Sequence, residues 1–342
     1  MRNYNYIFFN SKDNNRLHKN PDGYYTICAK DLEALDDVCV VSYPVDHAPT
    51  FVRFLFGLHH TQRINKHINL PFKKLWYPYY FKHTFSQERP LCFVLLNPYI
   101  PTDYIRYIKA TYPASKIVAV HRDLLAVWQK ICPDFIKNPL FDLEMSIDPE
   151  ESKKYGMLYF DEFESKIDIL PNPEIPVSDV FFAGKAKDRM GRLLRAYDIL
   201  SDAGLNCLFY IVGAKEDEQI ERPGIIYGKK PLSYRRFLEY TLNTRCILEI
   251  NQENALGYTS RFLEAVLYNK LLITDNIWVK NSRYYRADYI DFIESMEAIN
   301  PKFITDFSGT VDFGYTGEFS PIYLINQIDR ALTEKFGEPK SI

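Results

Sequence analysis

No stretch of the chain runs 18 residues without a polar interruption, so no membrane-spanning helix is expected. Neither sign of charge dominates. The 42 Lys and Arg against 44 Asp and Glu leave a net charge of −2, without the basic excess of a general nucleic-acid binder, so no nucleic-acid partner is expected. Cysteine is sparse: Cys28, Cys39, Cys92, Cys132, Cys207 and Cys246 form no CxxC pair, and most sit in apolar runs. They read as buried free thiols of a reducing compartment. HExxH and an apolar-flanked DxD are both missing, and His59, His60 and His67 have no cysteine nearby, so no metal is expected. No histidine follows His121, which confines any imidazole chemistry to the first half. The start, Met1–Asn10, has one basic residue and too short an apolar stretch for a signal peptide, and the expected location is the cytoplasm.

What is present is a chain of 342 residues, enough for two domains at roughly 100–200 residues each. Short apolar runs alternate with segments of helical period. The spacing predicts strands at Tyr4–Phe9, Val38–Ser42, Leu91–Leu96, Lys116–Val120, Leu140–Met145, Asp179–Ala183, Cys207–Val212, Gly224–Tyr227, Cys246–Ile250 and Leu271–Thr274. It predicts helices at Asp103–Thr111, Asp123–Lys130, Arg189–Ala203, Tyr234–Leu242, Thr259–Tyr268 and Ile322–Phe336, with Gly204 as the stop of the third. Continuously apolar strands between helices imply α/β units with parallel sheets. Three prolines at 171, 173 and 176 interrupt this pattern and are the expected joint between residues 1–170 and 171–342. The last helix could pack back on the first domain.

Two segments of the second half look chemical. Gly184-Lys185-Ala-Lys187-Asp-Arg189 joins a buried strand to a helix, where doubly wound folds bind ligands. A glycine, three cations and a helix start suit a phosphate; a solvated turn is the plainer reading. Asn251-Gln252-Glu253-Asn254 leads through Gly257 to Thr259, Ser260, Arg261 and Glu264. Arg261 beside a helix start suits a diphosphate, and Glu264, three residues on, shares its face and suits ribose hydroxyls. A capped helix with an internal Arg–Glu pair is the alternative. In the first half, Asp46, His47 and His121 follow strand ends and are candidate general bases, although His121-Arg-Asp123 could instead cap a helix. The stretch Arg63–Lys82 mixes cations with aromatics, suited either to an anionic lipid interface or to packing.

The segments Asp179-Val-Phe-Phe-Ala-Gly-Lys185, Leu205–Gly213, Gly257-Tyr-Thr-Ser-Arg-Phe-Leu-Glu-Ala265 and Asn269–Asp275 resemble the donor half of GT-B glycosyltransferases from bacterial capsule and lipopolysaccharide clusters. Ile64–Pro78 and Phe141–Gly156 resemble their N-terminal half. The resemblance implies two Rossmann-like domains facing a cleft: acceptor and base in the first, nucleotide-sugar donor in the second. It implies that Lys185 and Arg189 meet the diphosphate, that Glu264 takes the ribose, and that Tyr227-Gly228-Lys229 lies by the nucleobase. Where many retaining members carry an acid eight positions before the ribose Glu, this chain has Leu256, with Gln252, Glu253 and Asn254 nearby. The expected activity is metal-independent, cofactor-free sugar transfer to a glycan or lipid-linked hydroxyl, with peripheral inner-membrane contact. An epimerase of the same fold and a non-catalytic carbohydrate-binding subunit are the alternatives.

Overall fold

The computed structural model describes residues 2–11, 20–60, 68, 70–96, 100–132, 135–136, 138–252 and 257–339. Contacts divide the chain into two compact units, residues 1–161 with 320–342, and residues 162–319.

The first unit runs β1 (Asn5–Phe9), α1 (Tyr24–Cys28), β2 (Val38–Val41), α2 (Thr50–His60), β3 (Leu91–Leu95), α3 (Thr102–Thr111), β4 (Lys116–His121), α4 (Leu125–Ile131), β5 (Leu143–Ser146), α5 (Pro149–Tyr155) and β6 (Leu158–Tyr159). Its six strands are parallel, in the order β2-β1-β3-β4-β5-β6. Every residue of β1 is buried, as expected of a parallel strand covered on both faces. The strand expected from Leu140 starts only at Leu143, because Asn138 turns the chain first: its carbonyl and side-chain oxygens accept from the Phe141 and Leu140 amides. The helix expected from Asp123 starts at Leu125, whose amide is capped by the Glu151 carboxylate at 3.0 and 3.1 Å.

The second unit runs β7 (Ser178–Lys185), α6 (Met190–Asp202), β8 (Cys207–Val212), β9 (Ile225–Gly228), α7 (Tyr234–Leu242), β10 (Thr244–Glu249), α8 (Ser260–Leu267), β11 (Leu271–Thr274), β12 (Ile290–Phe292) and α9 (Lys302–Thr305). The order β12-β11-β10-β7-β8-β9 is the doubly wound 3-2-1-4-5-6 pattern read from its far edge. Gly204, at φ +82°, stops α6: its amide returns to Ser201 and that of Leu205 to Leu200. The proline-rich segment at 171–176 lies inside this unit, where the Asn243 amide group donates to the carbonyls of Asn172 (2.7 Å) and Ile175 (2.8 Å).

Helix α10 (Pro321–Phe336) then returns to the first unit. Asp329 accepts from the Tyr6 hydroxyl (2.6 Å) and the Asn3 amide (2.8 Å), and Ile325, Ile328 and Leu332 are fully buried. Ile328→Ala is expected to lower stability by about 2–5 kcal/mol, whereas Tyr323→Ala, on the 60% exposed face, should change it by less than about 0.5 kcal/mol. Urea denaturation of the two variants separates them.

Candidate functional site

In a doubly wound sheet the crossovers after the central strands leave in opposite directions, and their loops part at the carboxyl ends of those strands. In the second unit the reversal lies between β7 and β10. A cavity of about 210 Å³ opens there, lined by Phe182, Ala183, Arg189, Glu249, Ile250, Asn251, Gln252, Thr259, Ser260 and Arg261. Of the donor residues expected from sequence, Arg189, Gln252, Thr259, Ser260 and Arg261 therefore come together. Gly184 and Lys185 form the last two residues of β7 beside the cavity. Tyr227 ends up on β9, two strand spacings from β7 or about 10 Å, with its hydroxyl bonded to the Ile220 backbone at 2.9 Å.

Arg189 is half-buried against the Phe182 ring, and its guanidinium donates to the carbonyls of Lys185 (3.1 and 3.2 Å) and Ile250. Among the described residues no carboxylate forms an ion pair with it. Burial and the neighbouring Arg261 cation both lower its pKa, so its charge is held at a cost. Gly184 makes room for it: a Cβ there would lie 3.0 Å from a guanidinium nitrogen and 3.1 Å from the Phe182 ring. Lys187, at φ +46°, reaches across to the Gln252 side chain at 2.7 Å. Thr259 caps α8, accepting from the amides of Arg261 (3.2 Å) and Phe262 (3.5 Å), while its hydroxyl donates to Glu249. The cap thus occupies the amides of Arg261 and Phe262.

Arg261 lines the cavity. One guanidinium nitrogen meets both Glu264 oxygens at 3.0 Å, the other the Ala183 carbonyl at 3.0 Å, and the group lies 4.1 Å over the Phe237 ring. Glu264 has no exposed surface, so the carboxylate expected to take ribose is instead held by Arg261 and by the Tyr234 hydroxyl at 2.9 Å. Tyr234 also meets Glu164, equally buried, whose second oxygen has no hydrogen-bond partner among the described residues. A phenol has one proton and cannot donate to two carboxylates at once. The pair therefore holds at least one proton. Arg261 favours the charge on Glu264, which leaves the proton on Glu164. Burial pushes Glu264 up to about 7, and burial together with the Glu264 charge raises Glu164 well above the usual range. Glu164 could not be read from sequence: within Asp161-Glu-Phe-Glu-Ser-Lys166 it looks like one more surface charge.

In the first unit, Asp46 and His47 lie in the loop after β2 and line a cavity of about 250 Å³ with Tyr43, Tyr80 and Lys82. Arg53 stands 3.7 Å from Asp46. Desolvation and Lys82 lower the His47 pKa, with Asp46 opposing, which favours the neutral imidazole a general base requires. Val45, fully buried at φ +61°, holds this loop in a backbone region that β-branched residues avoid. His121 is different. It is 1% exposed, edge-on to Phe135, with Nε2 3.2 Å from Glu144. Its strand β4 is three spacings from β2, about 14 Å, so it does not join Asp46. Among the described residues no group of three His, Cys, Asp or Glu could hold a metal, and His67, Glu253, Asn254 and Leu256 lie outside them.

The strand orders define two Rossmann-like α/β units. The chain matches no protein-family model and no curated protein. Among solved structures it is similar to the apo form of the lipopolysaccharide outer core galactosyltransferase WaaB, at 13% identity over 97% of this chain and 100% of that one, with a TM-score of 0.49. It is similar also to an α,α-trehalose-phosphate synthase (UDP-forming) from Burkholderia vietnamiensis, at 8% identity over 95% and 93% of the two chains, TM-score 0.44. A third likeness is to a chain of the Glycosylation Associate Protein (Gap123) complex from Streptococcus agalactiae, at 10% identity and TM-score 0.43; it covers 82% of this chain but only 61% of that one. At these values each is a likeness alone, and the fold rests on the strand order.

The shared proton sets a sign for stability against pH. A carboxyl whose folded pKa is raised contributes stability below its unfolded value, and this is lost as pH climbs through the folded value. The loss therefore starts above pH 4.5 and continues through about 7 and beyond. Glu164→Gln supplies a permanent donor to Tyr234, so the wild type should lose stability relative to the variant between pH 5 and pH 8. Each unit of raised pKa corresponds to about 1.4 kcal/mol, or roughly 3–6 °C in a domain of this size. Melting curves of the two proteins that run parallel across that range would contradict the shared proton.

Proposed function

We propose that the chain is a glycosyltransferase that moves a sugar from a nucleotide-sugar donor to a glycan or lipid-linked hydroxyl, without a metal ion. The observation that carries this reading is Arg189: a half-buried guanidinium at the switch point, with no carboxylate ion pair among the described residues and a second guanidinium beside it. Two such charges repel, and a diphosphate between them relieves the repulsion while accepting charge-assisted hydrogen bonds. Ser260 and Thr259 add the positive end of α8. A cavity of about 210 Å³ suits a diphosphate rather than a whole nucleotide sugar, which leaves the base to run along the strand ends toward Tyr227. Two cations and a helix start take the place of a metal in holding the leaving diphosphate. In the first unit, neutral His47 with Asp46 is the base proposed to take the acceptor proton. Glu264 meets a ribose only if Arg261 or Tyr234 yields its place, so its first role here is to hold Arg261 in position.

Calorimetric titration with UDP, GDP, dTDP and CMP, with and without EDTA, tests the pocket. One nucleoside diphosphate should bind, EDTA should not change its affinity, and Arg189→Ala should weaken it about tenfold or more, the loss of a contact worth roughly 1.5–3 kcal/mol. Arg261→Lys, which keeps a cation over Glu264, should weaken it while remaining folded. Full affinity in both variants would remove the diphosphate site. Conversion of a donor sugar with no acceptor present would replace transfer by epimerisation.

A further inference from the structure

Helix α2 carries two apolar faces. The inner one is anchored by Phe56, 2% exposed, whose ring stacks on His60 at 4.0 Å and meets Tyr43, Trp76 and Tyr80 edge-on at 5.3–6.0 Å. The outer one is bare: Phe51, Phe54, Leu55 and Leu58 are 70%, 54%, 38% and 50% exposed. Their spacing of i, i+3, i+4 and i+7 makes a single stripe, the pattern of a helix that expects an apolar neighbour on that side. The adjoining segment repeats the feature. Phe72, Leu75 and Tyr79 are 73%, 71% and 53% exposed, and Phe72 stands at φ +64°, a strained backbone position for a bulky ring. Two hydrogen bonds tie this segment to the end of α2, His59 Nε2 to the Pro71 carbonyl and Trp76 Nε1 to His59 Nδ1, each 2.8 Å.

The sequence through this surface is rich in cations. Between Asp46 and Glu88 the sequence has no Asp or Glu and six cations, Arg53, Arg63, Lys66, Lys73, Lys74 and Lys82, in a chain whose net charge is −2. Lys74 and Lys82 are exposed; Lys74 also pairs with Asp103 at 3.2 Å, and Arg53 stands 3.7 Å from Asp46. We infer that the outer face of α2 and the Phe72–Tyr79 segment form a docking surface for an anionic lipid bilayer. The apolar stripe would enter the headgroup–acyl boundary, with the cations on the lipid phosphates. A second copy of the chain fits poorly, because a two-fold contact through this face would set cations against cations. The exposed tyrosine, with its apolar ring and polar tip, suits a boundary between water and hydrocarbon. This reading stands apart from the donor pocket. If the transferase reading holds as well, it places the first unit against the surface where a lipid-linked acceptor resides.

Flotation of the full chain with vesicles tests it. Phosphatidylglycerol–phosphatidylcholine vesicles should carry the protein up the gradient, pure phosphatidylcholine vesicles should do so at least about tenfold less well, and raised salt should weaken the binding. The double variant Phe54→Ser, Leu58→Ser should remain in the soluble fraction. Both positions are solvent-exposed, and an unchanged melting curve verifies the fold. Lys73→Glu with Lys74→Glu tests the charged half separately and should abolish the preference for the anionic vesicles. Arg189→Ala should float like the wild type, which separates this surface from the nucleotide pocket. Wild-type protein that stays soluble, or that binds both vesicle types equally, would overturn the inference. So would sedimentation showing a dimer that the serine variant splits, or an acidic protein partner captured in preference to the vesicles.

Discussion

A parallel strand buried on both faces cannot be reached by a tight turn. Its neighbour must return through a crossover that covers one face of the sheet, and a sheet covered on both faces needs crossovers in both directions. That constraint governs both units. It explains the near-continuous apolar strands, from Tyr6–Phe9 to Leu271–Ile273, and it forces one point in each sheet where the order reverses. At that point two loops diverge and leave a gap that side chains from neither loop fill. In the second unit the gap holds Arg189 and Arg261.

Beneath the cavity, burial rather than proximity decides the chemistry. Arg261 and Glu264 three apart on a helix would make a weak pair at the surface. Here Glu264 is fully buried, so its charge exists only because Arg261 and Tyr234 satisfy it. Arg261 is consequently shared between a buried carboxylate and the open cavity, and its position follows from the first of these. Glu164 completes the arrangement by keeping its proton, since a second charge in that space would have no cation of its own.

The fold was legible where a single physical signal dominated. Cys207–Val212, Leu271–Thr274 and Tyr234–Leu242 match the expected spans residue for residue, the strands as short apolar runs between breakers and the helix as a clear 3.6-residue period. Elements carrying two signals at once were missed. Helix α2 is apolar on two sides, which leaves its outer stripe little polar background to stand against. Helix α5 has its start written plainly, with Asp148 capping the Glu151 amide, Pro149 in the first turn and Gly156 at φ +68° after the last, but its seven residues carry too little periodicity to stand out. Edge strands β6 and β12, two and three residues long, have no room for a pattern. That five of the donor candidates line one cavity was legible, because loops between strands and helices can be located from sequence alone. Glu164 was not, because nothing in sequence says which Glu in an irregular, charged segment will be buried.

The two ends of each sheet are finished with different kinds of polar group. At the amino ends several charged groups are satisfied locally, although the buried hydroxyls of Ser115 and Thr241 and the Asn243 side-chain oxygen have no hydrogen-bond partner among the described residues. Arg2 grips Asp37 at 2.6 and 2.8 Å, Asp142 accepts from Lys109 and from the Ile117 amide, and Asp179 accepts from the Asn206 amide. Even Lys270, whose pKa burial lowers to about 8, donates to the carbonyls of Leu242 and Thr244 at 2.8 Å. At the carboxyl ends costs of another kind collect. Val45 and Lys187 hold left-handed backbone conformations, Arg189 repels Arg261, and Gly184 gives up a side chain to let a guanidinium in. Strain and unneutralised charge of this kind lower stability and persist only where the surrounding structure over-determines them. In the second unit Gly184, Lys187 and Arg189 gather these costs at the carboxyl end of β7, beside the cavity proposed for the donor.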